Sequence, residues 1–503
     1  MDSSAVQRTP VAIVGAGPTG ITAATLLAQY GIDSILIDRW PAVYSQPRAV
    51  HLDDEVARIV HRLGIGEQFA AISKPALGLR LLDRQHRVLA EFHRDTAGSR
   101  NGFAQANMFD QPALEELLRS NLGRYPRVRL LSTCEVTDVA IEAGRTHITA
   151  VHRGDGTEHH IVADYLLGCD GANSSVRDRI GTRMHDMNFR QRWLVADVVA
   201  NVDLGQWEGV HQVCDPQRAG TYMQIGPQRH RWEFQLLDGE SAQDFDTVPK
   251  LRSLIAPWTT GVSDTELELV RVTEYTFRAQ LADQWRAGPV FLLGDAAHLT
   301  PPFIGQGLGA GLRDAMNLSW KLAGVVAGQL APDVLDTYQP ERRPHAHHMI
   351  AMALGVGRAM TAGGNAGDLV RRVAVPRMHL IPGLRAKITD STTPRLHRSA
   401  LVHRGRLAGR LCPNPLLDRG SRLDDVLGIG FGVVSTERPG IDQRELITRS
   451  GAGFHHAEPG SELAAWLRSG RATTAVVRPD RTVLVAGRDM DALCRALPTF
   501  ITR

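Results

Sequence analysis

Val11-Ala12-Ile13-Val14-Gly15-Ala16-Gly17-Pro18-Thr19-Gly20 opens a unit that closes at Ser34-Ile35-Leu36-Ile37-Asp38. The first four residues have the apolar, β-branched composition of a strand buried on both faces. Residues 21–30 continue as an Ala- and Leu-rich helix, Gly31 ends it, and 34–37 form a second strand, completing one βαβ unit. In the run Gly15-x-Gly17-x-x-Gly20, the first glycine permits a tight turn and the second lets backbone approach a pyrophosphate. The third lets helix and strand pack closely. Pro18 and Thr19 fill the turn, and the helix beginning after Gly17 directs its free N–H groups at the phosphates. Asp38 ends the second strand, where an acid accepts hydrogen bonds from ribose hydroxyls. The pattern predicts a dinucleotide site but does not separate FAD from NAD.

Two further strand-and-turn units follow at a distance. Residues 163–168 run into Cys169-Asp170-Gly171-Ala172-Asn173-Ser174-Ser175, and residues 289–293 run into Gly294-Asp295-Ala296-Ala297-His298. Between them, residues 183–285 are β-rich, with strands expected at 194–202, 220–225, 231–237 and 267–273. A long helix is expected from Gly307 through Trp320, with more helix after Tyr338. Breakers at 361–366 and a change of texture near 400 set off a tail with strands expected at 427–434, 473–477 and 482–486. The expected class is α/β. It comprises a discontinuous Rossmann-like domain (1–182 and 286–395), an inserted β-sheet substrate domain (183–285) and a small C-terminal domain (396–503).

The 503 residues carry 57 Lys and Arg against 54 Asp and Glu, a net charge of +3 that argues against nucleic acid as partner. No apolar run reaches the roughly 18 residues of a membrane helix; the longest, 322–331, is interrupted by Gln329. No apolar core of signal-peptide length precedes Pro10. Five scattered cysteines (Cys134, Cys169, Cys214, Cys412, Cys494) form no CxxC and no disulfide framework. A reducing cytoplasm is the expectation. His345, His347 and His348, the obvious metal decoy, are expected on a solvated helix face, and no metal is expected.

The three turns, in this order, and the run Pro301-Pro302-Phe303-Ile304-Gly305-Gln306-Gly307-Leu308-Gly309 resemble the FAD-dependent aromatic hydroxylases, the single-component flavoprotein monooxygenases. The resemblance covers residues 10–360. The tail is loosely similar to the thioredoxin-like domain of some relatives. Arg100-Asn101-Gly102-Phe103, Leu52-Asp53-Asp54-Glu55, Arg192-Trp193-Leu194-Val195, Arg231-Trp232-Glu233-Phe234 and the 336–343 segment look like those of 3-(3-hydroxyphenyl)propionate hydroxylases. The resemblance implies that Asp295, after Gly294, holds the ribityl chain of FAD. It implies that Pro301 lies at the cofactor and that the glycine-rich turn, with Gly305, Gly307, Leu308 and Gly309, brings backbone N–H groups beside the flavin. Asp170 and Gly171 form the family's second turn, for flavin and nicotinamide nucleotide. Arg39 follows Asp38 at the ribose end, and Arg48 and Gln105 match positions that reach the cofactor. Asp38 stands where relatives more often have Glu, and Gly309 where many have Asn.

The implied reaction uses FAD, with NADPH or NADH as transient reductant, and O2. A flavin C4a-hydroperoxide then transfers oxygen to a phenolic substrate, such as a 3-(3-hydroxyphenyl)propionate-like acid. A phenol has a pKa of about 10, so an acceptor or nearby positive charge must help it ionise. His51 is one candidate acceptor, and Arg231 is a candidate to approach the flavin. Strand alternation would place Tyr222 and Gln224, or Glu233 and Gln235, in the substrate layer with Phe303, while the opposite parity brings Met223 and Phe234 inward. The alternatives are a polyketide- or antibiotic-tailoring monooxygenase (hydroxylating or Baeyer–Villiger), an NAD dehydrogenase, or a flavin-binding interaction module without turnover. A monomer and a homodimer are both compatible with the sequence.

Overall fold

The structure, a computed structural model, describes residues 6–43, 49–361, 393–417 and 420–502. Its central sheet joins the three separated strand segments. Glu158–Gly168 lies parallel to Gln7–Val14 on one side and to Val290–Leu292 on the other, and Ser34–Ile37 and Val128–Leu131 extend the parallel run. Residues 11–14, 34–37, 166–168 and 290–292 of these strands are buried on both faces, which explains why they read as continuous apolar runs without alternation, whereas the edge strand Val128–Leu131 is half exposed. Parallel neighbours end at the same edge, so the turns that follow Val14, Gly168 and Leu292 converge there by topology.

Helix Pro18–Gln29 and helix Gly307–Val326 pack on this sheet and on one another, both buried along most of their length. Thr19 fits between two glycines: a Cβ on Gly311 would overlap its Oγ1, and one on Gly294 would lie 2.8 Å from it.

A second sheet of eight strands has its centre in Met184–Ala200, Leu267–Ala282, Gly220–Gln224 and Arg229–Gln235, with Val210–Val213 beside them. It also takes in Gly78–Leu82 and Val88–His93, which sequence reading leaves in the first segment. Leu267–Ala282 is long enough to pair at its end with His298–Leu299, just after the Gly294-Asp295 turn. One face of this sheet closes on helix Val248–Ile255 through Tyr222, Trp232 and Trp258. The other face meets the first segment and Phe303.

The tail forms a four-stranded mixed sheet of Gly432–Ser435, Gly453–His456, Thr474–Val477 and Val483–Gly487. Part of the strand expected over 427–434 is instead the end of helix Leu423–Leu427, after which the chain turns into Gly432–Ser435. Among the described residues no helix is long and apolar enough to cross a membrane. All five cysteines are free.

Candidate active site

The first two turns are locked by backbone packing. Gly15, at φ +102°, would drive a Cβ into the Cys169 carbonyl, and a Cβ on Gly20 would overlap the Gly15 carbonyl oxygen. Only glycine fits at either place. By contrast a Cβ on Gly17, Gly171 or Gly307 meets nothing within 4 Å, so these three face open space.

Helices Pro18–Gln29 and Gly307–Val326 have neither a side-chain cap nor an acid in the first turn. Their N-terminal N–H groups therefore stay available for an anionic group. Asp38 is buried, with one oxygen accepting from Ala16 N–H at 2.5 Å and the other from Trp40 N–H at 2.7 Å. A carboxylate offers about four lone-pair sites, so both oxygens keep capacity for a ribose. An open glycine cradle, two uncapped helix termini and an acid at the strand end together fit FAD.

The Gly294-Asp295 turn is held from below by Asp314, a residue that motif reading passes over. Asp314, fully buried, accepts from Gly294 N–H at 3.0 Å, from His298 Nε2–H at 2.8 Å and from Arg342 Nε–H at 2.8 Å. Burial opposes its ionisation, but Arg342 and His298 outweigh this and hold its carboxyl below the usual range. Asp295 itself is half-buried at the turn.

The glycine-rich turn has its own support. Asp53 caps helix Asp54–Arg62 through Val56 N–H at 2.9 Å, while its other oxygen accepts from Gln306 at 2.9 Å and from Arg313 at 2.5 Å. Arg313 also pairs with Glu55 at 2.8 Å. A Cβ on Gly309 would come within 2.9 Å of both Arg313 Nη1 and Val56. Its neighbours therefore crowd out a larger side chain. Pro301 is buried at the N-cap of the short helix Pro302–Ile304, and Leu308 is half-buried in the helix's first turn.

His51 lies beneath Gly305, whose Cβ position is 3.0 Å from the ring. Its Nε2 accepts from Arg94 at 3.0 Å. Burial and then Arg94 push its pKa down to about 4, so it is neutral at pH 7 with one nitrogen already occupied. Asp170 accepts from Ser174, Ser175 and Val176 N–H, which ties its carboxylate to the start of helix Ser175–Arg179. The Gln105 carbonyl accepts from Asp95 N–H at 2.8 Å. Arg39 is exposed and stacks over Trp40 at 5.6 Å. Arg48 lies outside the described residues.

Strand register resolves the two parities. Tyr222 pairs across from Trp232 and faces away from the flavin-side turns, its hydroxyl 3.0 Å from His230 Nδ1. Gln224 shares that face, two residues along, and bonds Pro227. Phe234 likewise joins the outer cluster. Glu233, opposite Thr221 and Val195, points the other way with Gln235 and Trp193. Met223 is on this inner face as well, so it and Phe234 do not turn inward together. Gln212 on the same face donates to the Phe303 carbonyl at 3.2 Å, and Trp193 meets Phe303 ring to ring at 5.8 Å. Glu233 is buried and its carboxyl is raised by burial, with Arg231 opposing. Arg231 is bound to Asp197 through two bonds of 2.6 and 2.9 Å, a pairing that absorbs much of its fork.

Among the three neighbouring histidines expected on a solvated surface, His347 and His348 are exposed but His345 is 2% exposed. Helical spacing puts it inward with Arg342 and Met349.

A family model described as FAD binding domain matches residues 8–353. A 3-(3-hydroxy-phenyl)propionate/3-hydroxycinnamic acid hydroxylase 2 of Burkholderia vietnamiensis is 34% identical, over 95% of this chain and 93% of its own. A "Probable NADH-specific resorcinol 4-hydroxylase" of Rhodococcus jostii is 32% identical, over 95% and 92%. The structure of the flavin-dependent monooxygenase PieE in complex with FAD and substrate matches with TM-score 0.79 at 21% identity, covering 98% of each chain. Aklavinone-11 hydroxylase with FAD and aklavinone gives the same score and identity, covering 99% of this chain and 100% of its own.

Proposed function

This chain belongs to the FAD-binding-domain family of flavin-dependent aromatic hydroxylases, and on that premise we propose that it hydroxylates a phenolic acid of the 3-(3-hydroxyphenyl)propionate class, using NAD(P)H and O2. The observation that carries the reading is the meeting, at one sheet edge, of the fingerprint turn, the Gly294-Asp295 turn and the glycine-rich turn, with a buried carboxyl on the facing sheet. FAD, when bound, supplies the hydride acceptance and oxygen activation that side chains lack.

The chain's own part is positional and electrostatic. Gly17 and the first turn of its helix receive the pyrophosphate, Asp38 the ribose, and Asp295 the ribityl chain. The uncapped N–H groups at Gly307 and Leu308 stabilise negative charge on the flavin ring. Phe303 and Trp193 wall the substrate layer, exclude water and offer an aromatic surface for a ring. The Glu233 carboxylate accepts the phenol proton. Burial raises its carboxyl and so makes it the stronger base, with the Arg231 guanidinium opposing that rise.

Segments 1–182 and 286–395 serve as the flavin domain, except that Gly78–Leu82 and Val88–His93 join 183–285 in the substrate domain, and 396–503 serves as a thioredoxin-like unit without redox chemistry. We place the protein in the cytoplasm, where nicotinamide nucleotides are at hand, as a monomer or homodimer.

The test is NADH and NADPH oxidation by the purified yellow protein with a panel of phenolic acids and polyketides, scored with product analysis. Stimulated oxidation yielding a hydroxylated phenolic acid is expected. Hydroxylation confined to polyketides, or no stimulation by any phenolic acid, overturns the substrate class. Asp295→Ala should purify with little flavin, and full yellow colour in that variant refutes the ribityl contact.

A further inference from the structure

A cavity of about 340 Å³ lies away from the glycine cradle, between helices Asp54–Arg62, Gly307–Val326 and Tyr338–Thr361 and the start and core of the tail. Eight arginines line it against three carboxylates. All three acids are already paired: Glu55 with Arg313, Asp424 with Arg58 and Arg481, and Asp480 with Arg478. Arg342 is held by Asp314. Arg62, Arg100, Arg395 and Arg410 remain, and among the described residues no carboxylate lies within ion-pair distance of any of them.

Buried donors and acceptors point the same way. Arg62 spends one amino group on Gln29 and lies over the ring of Tyr30, with no carboxylate within ion-pair distance of it among the described residues. His345 lines the cavity with its Nδ1 buried and, among the described residues, unpartnered. Buried polar atoms are normally satisfied, so a void lined by an unsatisfied one and by excess positive charge is built for an anion. Burial and the neighbouring Arg342 and Arg313 also hold His345 neutral, and a bound anion would relieve that penalty.

We propose that this cavity is a binding site for a phosphate monoester, gripped by Arg62, Arg100, Arg395 and Arg410, that ties the tail to the flavin-binding core. Guanidinium forks match phosphate oxygens, and four of them exceed what one carboxylate can accept. The volume is at the low end of the roughly 300–1,000 Å³ of small-molecule pockets, enough for a nucleoside monophosphate or one phosphorylated arm of a larger nucleotide. The phosphate has two sources: a free phosphomonoester, or the 2′-phosphate of the reductant NADPH.

Calorimetric titration of the full-length holoenzyme with sodium phosphate, AMP, NADP+ and NAD+ at constant ionic strength tests this. Saturable binding, with a rise in melting temperature, is expected for phosphate and AMP if the source is a free monoester. NADP+ alone, well ahead of NAD+, is expected if it is the reductant. In either case Arg100→Gln/Arg395→Gln/Arg410→Gln should weaken that binding at least tenfold with flavin content unchanged. These three side chains are exposed and carry no hydrogen bond among the described residues, so the triple variant should fold; the melting temperature checks it. Absence of saturable binding by every probe, or binding that the triple variant leaves intact, overturns the proposal.

Discussion

Glu233 and Asp314 show how differently two buried carboxyls can be used. Glu233, raised by burial, lies on the sheet face that meets Phe303 and Trp193 and is the proton acceptor in the proposed reaction. Glu233→Gln should lower kcat about 100-fold, the lower end of general-base effects, with KM nearly unchanged and the acidic limb of the pH profile, where a general base is lost by protonation, altered. Steady-state NAD(P)H oxidation with the preferred phenol measures this; an unchanged kcat removes Glu233 from the mechanism. Asp314 touches no open space and is fully committed to Gly294, His298 and Arg342. Its loss strands a buried guanidinium, and removing one partner of such a pair costs about 3–5 kcal/mol. Asp314→Asn should therefore lose stability in urea and flavin on gel filtration, both together.

Between elements, the contact of the two glycine-start helices depends on Gly311, where any Cβ meets Thr19. Gly311→Val should push the helices apart at a cost of about 1–3 kcal/mol, the usual price of overpacking, and weaken flavin retention. The substrate sheet carries a different liability. Burial, as the largest cause, pushes His211 and His230 of that sheet, and His51 on the separate strand His51–Asp53, down to about 4. In the unfolded chain each titrates near 6.5, so between pH 6.5 and 4 the unfolded state binds more protons. Stability from these groups is present above pH 6.5 and is lost as the pH falls toward 4. Asp54, raised to about 6 by burial and by Asp53, and Glu233 and Asp110, raised by burial, act in the opposite sense, while His345, His86 and His455, lowered by burial, add to the three histidines. The urea midpoint, followed by tryptophan fluorescence, should be lower at pH 5 than at pH 7. A midpoint that is flat or higher at pH 5 contradicts the assignment.

Across the molecule, tail and core are joined by a fully buried ionic cluster. Glu341 accepts from Lys321 at 2.8 Å and from Arg478 at 2.9 and 3.0 Å, and Arg478 also binds Asp480. Trp320 meets Phe431 and Phe500 of the tail edge to face beside it. Breaking this cluster by Glu341→Gln leaves two cations underpaired, with a loss of about 3–5 kcal/mol expected. Limited proteolysis should then cut in the tail before it cuts the flavin-binding core. Simultaneous loss of both parts would mean that they unfold as one unit.

Much of this arrangement is legible from local signals. A strand, a glycine turn, a helix and a terminal acid are encoded within residues 11–38, because each depends on backbone conformation and short-range packing. The three turns are recognisable one by one, since glycine is required where φ is positive or two backbones touch. Their supports are not legible as such: Asp53 and Arg342 fall in segments that the resemblance marks without giving them a role, and Asp314 looks like an ordinary helix residue until parallel pairing brings these elements together. Strand parity was open for the same reason, since alternation gives two faces but only the neighbouring layer says which is inner. The burial of His345 and the arginine-lined cavity are further products of long-range packing. Short-range chemistry thus determines the cofactor's cradle, whereas the contacts that brace it, the carboxyl facing the substrate and the charge left over beneath the tail arise only when distant segments meet.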